Sequence, residues 1–217
     1  MLTPLLHSFI VAISATIFAF LLMLPLAAAG AFTHYRAKIL VEILLLLPLV
    51  LPPTIVGFYL LSIFGKYGPL SFFGNAIIFS LNGAIIATTV IIFPLVYQGL
   101  KAAFLSVPRE MIEEARLNAN SLQILFYILL PVSSPMLAAT LFLSFGRALG
   151  EFGASLMVAG YIPGQTDTLS NAIYFAVQNG NNTQALQLSL INIFLGVLLL
   201  LVIVLLNRKS VNLHNHF

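Results

Sequence analysis

Apolar positions in this chain gather into uncharged blocks, each long enough to cross a bilayer. A spanning helix needs about 20 apolar residues. Ser8 to Thr33 forms one such block, and Ile43 to Gly65 a second. Tyr67 to Leu100 is a third, apolar from about Ala76 to Leu95. Leu117 to Gly146 is a fourth. Thr168 to Asn207 is a fifth, apolar from about Leu186 to Leu206. The pattern predicts an all-α, polytopic transmembrane bundle of about five spans. Gly153 to Ile162 is too short to cross and too apolar for an ordinary loop, so it is read as re-entrant or as part of a sixth element. Pro48, Pro52 and Pro53 interrupt the second block. Proline removes a helix donor and clashes with the preceding turn. The result is either a kinked packing helix or broken backbone lining a cavity, where freed polar groups find partners that lipid does not offer.

Composition supports this division. Of 217 residues, 60% are hydrophobic and 7% charged, against about 25% charged in an average soluble domain. So few charges cannot cover a surface that faces water. The net charge of +3 is too small for a nucleic-acid footprint, and no basic cluster with interleaved aromatics appears. There is no cysteine, which excludes a disulfide framework and thiolate metal sites. The first apolar run follows a segment without Lys or Arg and exceeds a signal-peptide core, so it reads as a retained helix. Arg36, Lys38, Lys101, Arg109, Arg116, Arg208 and Lys209 fall on one set of loops, and Lys66 and Arg147 on the other. That bias makes the first set cytoplasmic, with the N-terminus outside and the C-terminus inside. The polar stretch Pro163 to Thr183 is expected as an outer loop. Its sequon at Asn181 and the tail residues His214 and His216 are read as chance and solvated features.

Most of the charge lies between Lys101 and Arg116. Pro108 suits a first helical position, Glu110 a first turn facing the helix dipole, and Asn118 a left-handed end. A short helix is therefore expected over 108–117. Met111, Ile112 and Ala115 form its apolar side, and Glu113 pairs with Arg116. Such a helix lies in the membrane interface or docks a soluble partner.

Glu113, Glu114 and Ala115, followed by Ala119, Phe126, Ile128, Leu130 and Pro131, resemble the Glu-Ala-Ala loop of ABC-importer permeases. Glu114 replaces the first alanine of that pattern. Ala119 or Asn118 stands at its glycine, depending on the register. Pro48 to Gly57 is similar to the second-span signature of molybdate permeases. Gly146 to Ala154 is similar to the segment after their span that follows the loop, with Met157 to Gly160 and Ile162 to Gly164 continuing the likeness. The resemblance covers nearly all of 1–217 as one permease domain. It places a coupling loop at about 98–127, in a bacterial or archaeal cytoplasmic membrane.

The resemblance implies a homodimer in lipid with its pathway between the copies, a pair of cytoplasmic ABC ATPase subunits and an extracytoplasmic molybdate-binding protein. It assigns ATPase coupling to Glu110, Met111, Glu113, Glu114, Ala115, Arg116, Asn118 and Ala119. The chain lacks a P-loop, so it is expected to be a translocating subunit without enzymatic activity, cofactor or metal. Tungstate or sulfate import are close rivals, and a secondary transporter is a more distant one, disfavoured by the missing repeats.

Pathway or gate candidates are Pro52, Pro53, Ser133, Ser134, Arg147 and Glu151. Arg147 and Glu151 are four residues apart at the end of the fourth span. Charge at membrane depth is a functional candidate, but a structural pair is the preferred reading. Glu42 is expected to pair with Lys38. Ser133, Ser134, Thr140 and Ser144 line a pathway or serve helix packing.

Overall fold

The computed structural model describes the backbone of residues 2–32 and 38–214, and side chains as far as Leu205. Arg36 and His216 lie outside the described residues, as do the side chains of Arg208, Lys209 and His214. The helices in chain order are α1 (Leu2–Phe32), α2 (Lys38–Val50), α3 (Pro53–Phe64), α4 (Gly74–Ile77), α5 (Leu81–Leu105), α6 (Arg109–Arg116), α7 (Ser121–Ile124), α8 (Leu130–Val132), α9 (Ser134–Leu149), α10 (Gly153–Ala159), α11 (Leu169–Gln178) and α12 (Asn182–His214). A 3-10 turn at Ser71–Phe73 precedes α4, and a π-helical stretch at Leu125–Leu129 joins α7 to α8. The described residues contain no strand.

Among the described residues, three helices are long and apolar enough to cross a membrane: Leu2–Phe32, Leu81–Leu105 and Asn182–Leu205. Two bent pairs bring the number to five if each counts as one span. Lys38–Val50 and Pro53–Phe64 meet at 115°, and Ser121–Val132 and Ser134–Leu149 at 80°. The five apolar blocks are thus mainly helical, but two of them are not straight rods. In the second block Pro48 sits inside α2, while Pro52 and Pro53 occupy the N-cap and first turn of α3. There their missing N–H groups leave no helical bond unmade.

The centre is α5, packed between α1 and α9. Ala12, Ala15, Ala19 and Ala27 of α1 and Ala103 of α5 are fully buried, together with Ile92, Val96, Leu100 and Phe104. Lipid tails are as apolar as leucine, so helices in a membrane associate through close backbone approach rather than water exclusion. Small residues along α1 permit that approach. At Gly30 a Cβ would stand 2.3 Å from the Tyr97 hydroxyl oxygen. Gly30→Ala is expected to destabilise the fold by about 1–2 kcal/mol through overpacking, and Tyr97→Phe in the same chain should recover part of that. Thermal unfolding in detergent measures both.

Three expected boundaries shift. Helix α5 begins only at Leu81, because 66–80 folds into turns and short helices before Ser80 accepts a bond from the Gly83 N–H as N-cap. The polar stretch 163–183 is not all loop. It contains α11, whose Leu169, Asn171, Ala172 and Ala176 are buried. Asn181 of the sequon caps α12, its side-chain oxygen accepting from the Gln184 N–H at 3.1 Å. The segment 153–162 is resolved into α10 and a short irregular stretch after it. Ala154, Ser155, Val158 and Ala159 are buried, with Ala154 and Val158 packed beside Val56 of α3 and Ala87 and Ile91 of α5. Helix α10 is 7 residues long, far too short to span.

Candidate functional site

The charged loop folds as expected into a short helix, but its details differ. Pro108 is the N-cap of α6, at φ −55° and ψ 132°, rather than its first residue. Glu110 in the first turn and Arg116 in the last complement the helix dipole. Ile112 is buried and anchors α6 to the main core, with Ala115 and Ala119 packed partly against it. Met111, placed on the apolar side by sequence, is 42% exposed instead. Along 3.6-residue geometry it falls away from the Ile112–Ala115 contact line.

Glu110, Glu113, Glu114, Arg116 and Asn118 are all exposed. The expected Glu113–Arg116 ion pair is not formed; the ion pairs among the described residues include His7–Asp167, Lys101–Glu42 and Arg147–Glu151. The helix therefore offers an outward face of Met111 among unpaired carboxylates, carried on one buried isoleucine. A cavity of about 320 Å³ lies behind it, lined among others by Pro25 and Phe32 of α1, Ile112, Arg116 and Leu125.

Asn118 does not end the helix in the left-handed region. Among the described residues the only positive φ outside glycine is at Phe79. The turn closes instead through bonds from the Asn118 and Ala119 N–H groups to the Ala115 carbonyl. Asn120 then opens α7 with a capping box: its side chain accepts from the Gln123 N–H at 2.8 Å, and the Gln123 side chain accepts from the Asn120 N–H at 2.9 Å. An Asn followed three residues later by Gln is a legible start signal that the sequence reading passed over. The loop proper is 106–120, since 98–105 completes α5 and 121–127 belongs to the next span.

The segments at 48–57 and 146–154 lie far apart in sequence and meet in space. Gly153 faces Pro53 and Thr54, where an added Cβ would stand 3.2–3.4 Å from their atoms. Gly57 faces α10, where a Cβ would stand 2.7 Å from Met157 Cβ and 2.9 Å from Ala154 Cα. Pro52 and Pro53 thus aim α3 onto α10, and two glycines let the backbones touch. Glu151 stands at the start of α10 with only 3% of its surface exposed. It accepts from Arg147 Nη1 at 2.8 Å and from the Ala154 N–H at 3.0 Å. The carboxylate therefore joins the end of α9 to the start of α10 and satisfies a donor that α10 leaves free.

Arg147→Ala is expected to cost about 1.5–3 kcal/mol by leaving the buried Glu151 carboxylate without its charged partner, without changing which anion is preferred. Thermal unfolding beside competitive anion uptake checks this. A switch of preference would make Arg147 a selectivity residue instead.

Ser133 lies buried at the 80° bend and donates to the Leu129 carbonyl; Ser134 is exposed in the first turn of α9. Thr140 donates to the Met136 carbonyl at 2.9 Å, and a Cβ on Gly99 would stand 2.4 Å from its side chain. These contacts use Ser133 and Thr140 within their own helices. The buried Ser144 hydroxyl has no hydrogen-bond partner among the described residues. Glu42 takes Lys101 as a partner across the helices, at 2.5 Å, in addition to the charge of the expected Lys38 nearby. His7 Nδ1 lies 2.7 Å from Asp167 Oδ1 and ties α1 to the loop before α11. The sequence offered no signal for either long-range pair.

Residues 2–211 match the family model described as "Binding-protein-dependent transport system inner membrane component". The chain belongs to this family. The permease is 42% identical over 192 residues to the permease protein YvgM of Bacillus subtilis, covering 84% of this chain and 83% of that one. It is 36% identical over 175 residues to the molybdenum transport system permease protein ModB of Escherichia coli, covering 77% and 76%. Among solved structures, the MetNI methionine ABC transporter shares the fold with a TM-score of 0.76 at 18% identity, over 96% of this chain and 95% of that one. A bacterial alginate ABC transporter gives 0.73 at 18% identity, covering 96% and 77%. The permease is thus a multi-pass, all-helical inner-membrane component.

Proposed function

We propose that this chain is the translocating subunit of an ATP-driven importer of molybdate, with tungstate as its nearest analogue. The observation that carries the proposal is the agreement of site and relatives. Helix α6 presents an exposed acidic face on a buried anchor, and relatives at 36% and 33% identity are named molybdenum transport system permeases. Two copies in lipid would enclose the pathway as one permease domain each, 1–217, with the C-terminus cytoplasmic. Helix α6 would dock a cytoplasmic ATPase pair that performs all hydrolysis. An extracytoplasmic binding protein would deliver the anion. The chain itself needs no cofactor in this scheme, since movement of α6 biases one two-state bundle.

The test is reconstitution in liposomes with the cognate ATPase and binding protein. Molybdate-loaded binding protein should accelerate hydrolysis and drive uptake, while the sulfate-loaded form should not. Equal response to sulfate would move the substrate assignment. Uptake without any ATPase would remove the importer reading.

A further inference from the structure

We propose that Glu42 is a positioning residue for energy coupling: with Lys101 and Tyr97 it joins α2 to the root of the coupling loop, so that the two move as one body. This rests on the importer reading. Tyr97 and Lys101 are one turn apart on α5 and present one face. The Glu42 carboxylate receives both, from Lys101 Nζ at 2.5 Å and from the Tyr97 hydroxyl at 3.0 Å.

The ion pair is not a loose surface contact. The Lys101 and Glu42 side chains are 26% and 25% exposed. The Lys101 ammonium also lies 5.7 Å from the Tyr97 ring centroid, within cation–π range. Gly30 of α1 closes the other side, with no room for a Cβ beside the Tyr97 hydroxyl. Three helices therefore meet at one polar point. A charge-assisted, two-donor contact adds directional constraint to the packing of α2 on α5.

The position of this point matters. Beyond Lys101, α5 runs one more turn to Leu105, and the coupling loop follows. Beyond Glu42, α2 runs to Val50, the proline break follows, and α3 docks on α10. A displacement of α6 passes into the end of α5 and across the Glu42 contact into α2. It then reaches the bent pair, whose 115° junction is the one place along α2–α3 without helical continuity. Without Glu42, α2 would be held to the α5 core only by apolar contacts such as those of Leu45 and Leu46, and would follow the coupling loop less closely.

The chain has no cysteine, so within it introduced thiols are confined to this pair, and the bridge is closed on the purified permease before the complex is assembled. In the reconstituted complex, Glu42→Gln should still assemble with the ATPase, but anion imported per ATP hydrolysed should fall about tenfold, a coupling loss within the usual range. The reversed pair Glu42→Lys with Lys101→Glu should restore most of that ratio. In Glu42→Cys with Lys101→Cys, closing a short bis-maleimide bridge should raise the ratio above that of the unbridged double variant. Wild-type coupling in Glu42→Gln, or a bridge that stops import, overturns the proposal. If Glu42→Gln fails to assemble, the bridged pair decides by the same readout. Absence of ATP-driven import in the unaltered protein would instead remove the importer reading, so the two failures are distinguishable.

Discussion

Gly57→Leu is expected to abolish import while leaving the chain inserted in the membrane. The atoms that a side chain would meet are Met157 Cβ at 2.7 Å, Ala154 Cα at 2.9 Å and the Ala154 carbonyl oxygen at 3.0 Å. None is the far end of a flexible side chain, so none can swing aside. Helix α3 would have to leave α10. Overpacking of this kind costs about 1–3 kcal/mol, and the separated helices would also expose Val56 and Val158, which are buried in the contact. Gly196 serves as the control, since a Cβ there meets nothing within 4 Å. Gly196→Leu should leave uptake and thermal stability unchanged. The measurements are unfolding temperature in detergent and molybdate uptake in liposomes. A Gly57→Leu protein that imports at the normal rate would show that the α3–α10 contact does not need to be tight.

Glu113→Arg is expected to act in the opposite way, sparing the fold and removing the coupling. Glu113 is exposed on α6 and makes no ion pair among the described residues. Surface changes of this kind stay within about 0.5 kcal/mol of stability, so the unfolding temperature should not move. A reversed charge on a docking face opposes a partner built for the original sign, and like-charge contacts cost several kcal/mol. Co-purification of the ATPase should weaken at least about tenfold, and hydrolysis should lose its response to loaded binding protein. Full retention of both would place the docking face elsewhere on the loop. Ile112→Asp would not give the same information, because burying a carboxylate on the anchor would unfold α6 itself.

Much of this molecule was legible as pattern. Uncharged blocks marked the membrane-crossing regions because no other arrangement satisfies backbone and side chains in lipid together. The Pro48, Pro52 and Pro53 cluster marked a break because proline cannot donate within a helix. The charge between Lys101 and Arg116 marked a water-facing helix, and Pro108 and Glu110 marked its start. Motif likeness reached further than physics here. The segments 48–57 and 146–154 were recognised separately, with no sign in the sequence that they touch.

The misses share one cause. Met111 was placed on the buried side of α6 because local periodicity does not say which of two apolar neighbours meets the core. Lys101 as a further partner of Glu42 is invisible in the sequence because only neighbours on one helix can be read along a chain. The capping residues Asn120 and Asn181 were passed over because polar residues near loops are common and become caps only when a helix follows them. Helix α11 was hidden in a polar stretch whose buried side is defined by α12.

The sequence by itself determined that this protein is a membrane helix bundle with one exposed charged helix. Desolvation cost and backbone hydrogen bonding act residue by residue and leave their mark in composition. Only the tertiary structure decided that the second block folds back by 115° onto α10, that Glu151 closes the start of that helix, and that Glu42 reaches across to Lys101. Those are contacts between distant parts of the chain, and their energies depend on where three-dimensional packing puts them.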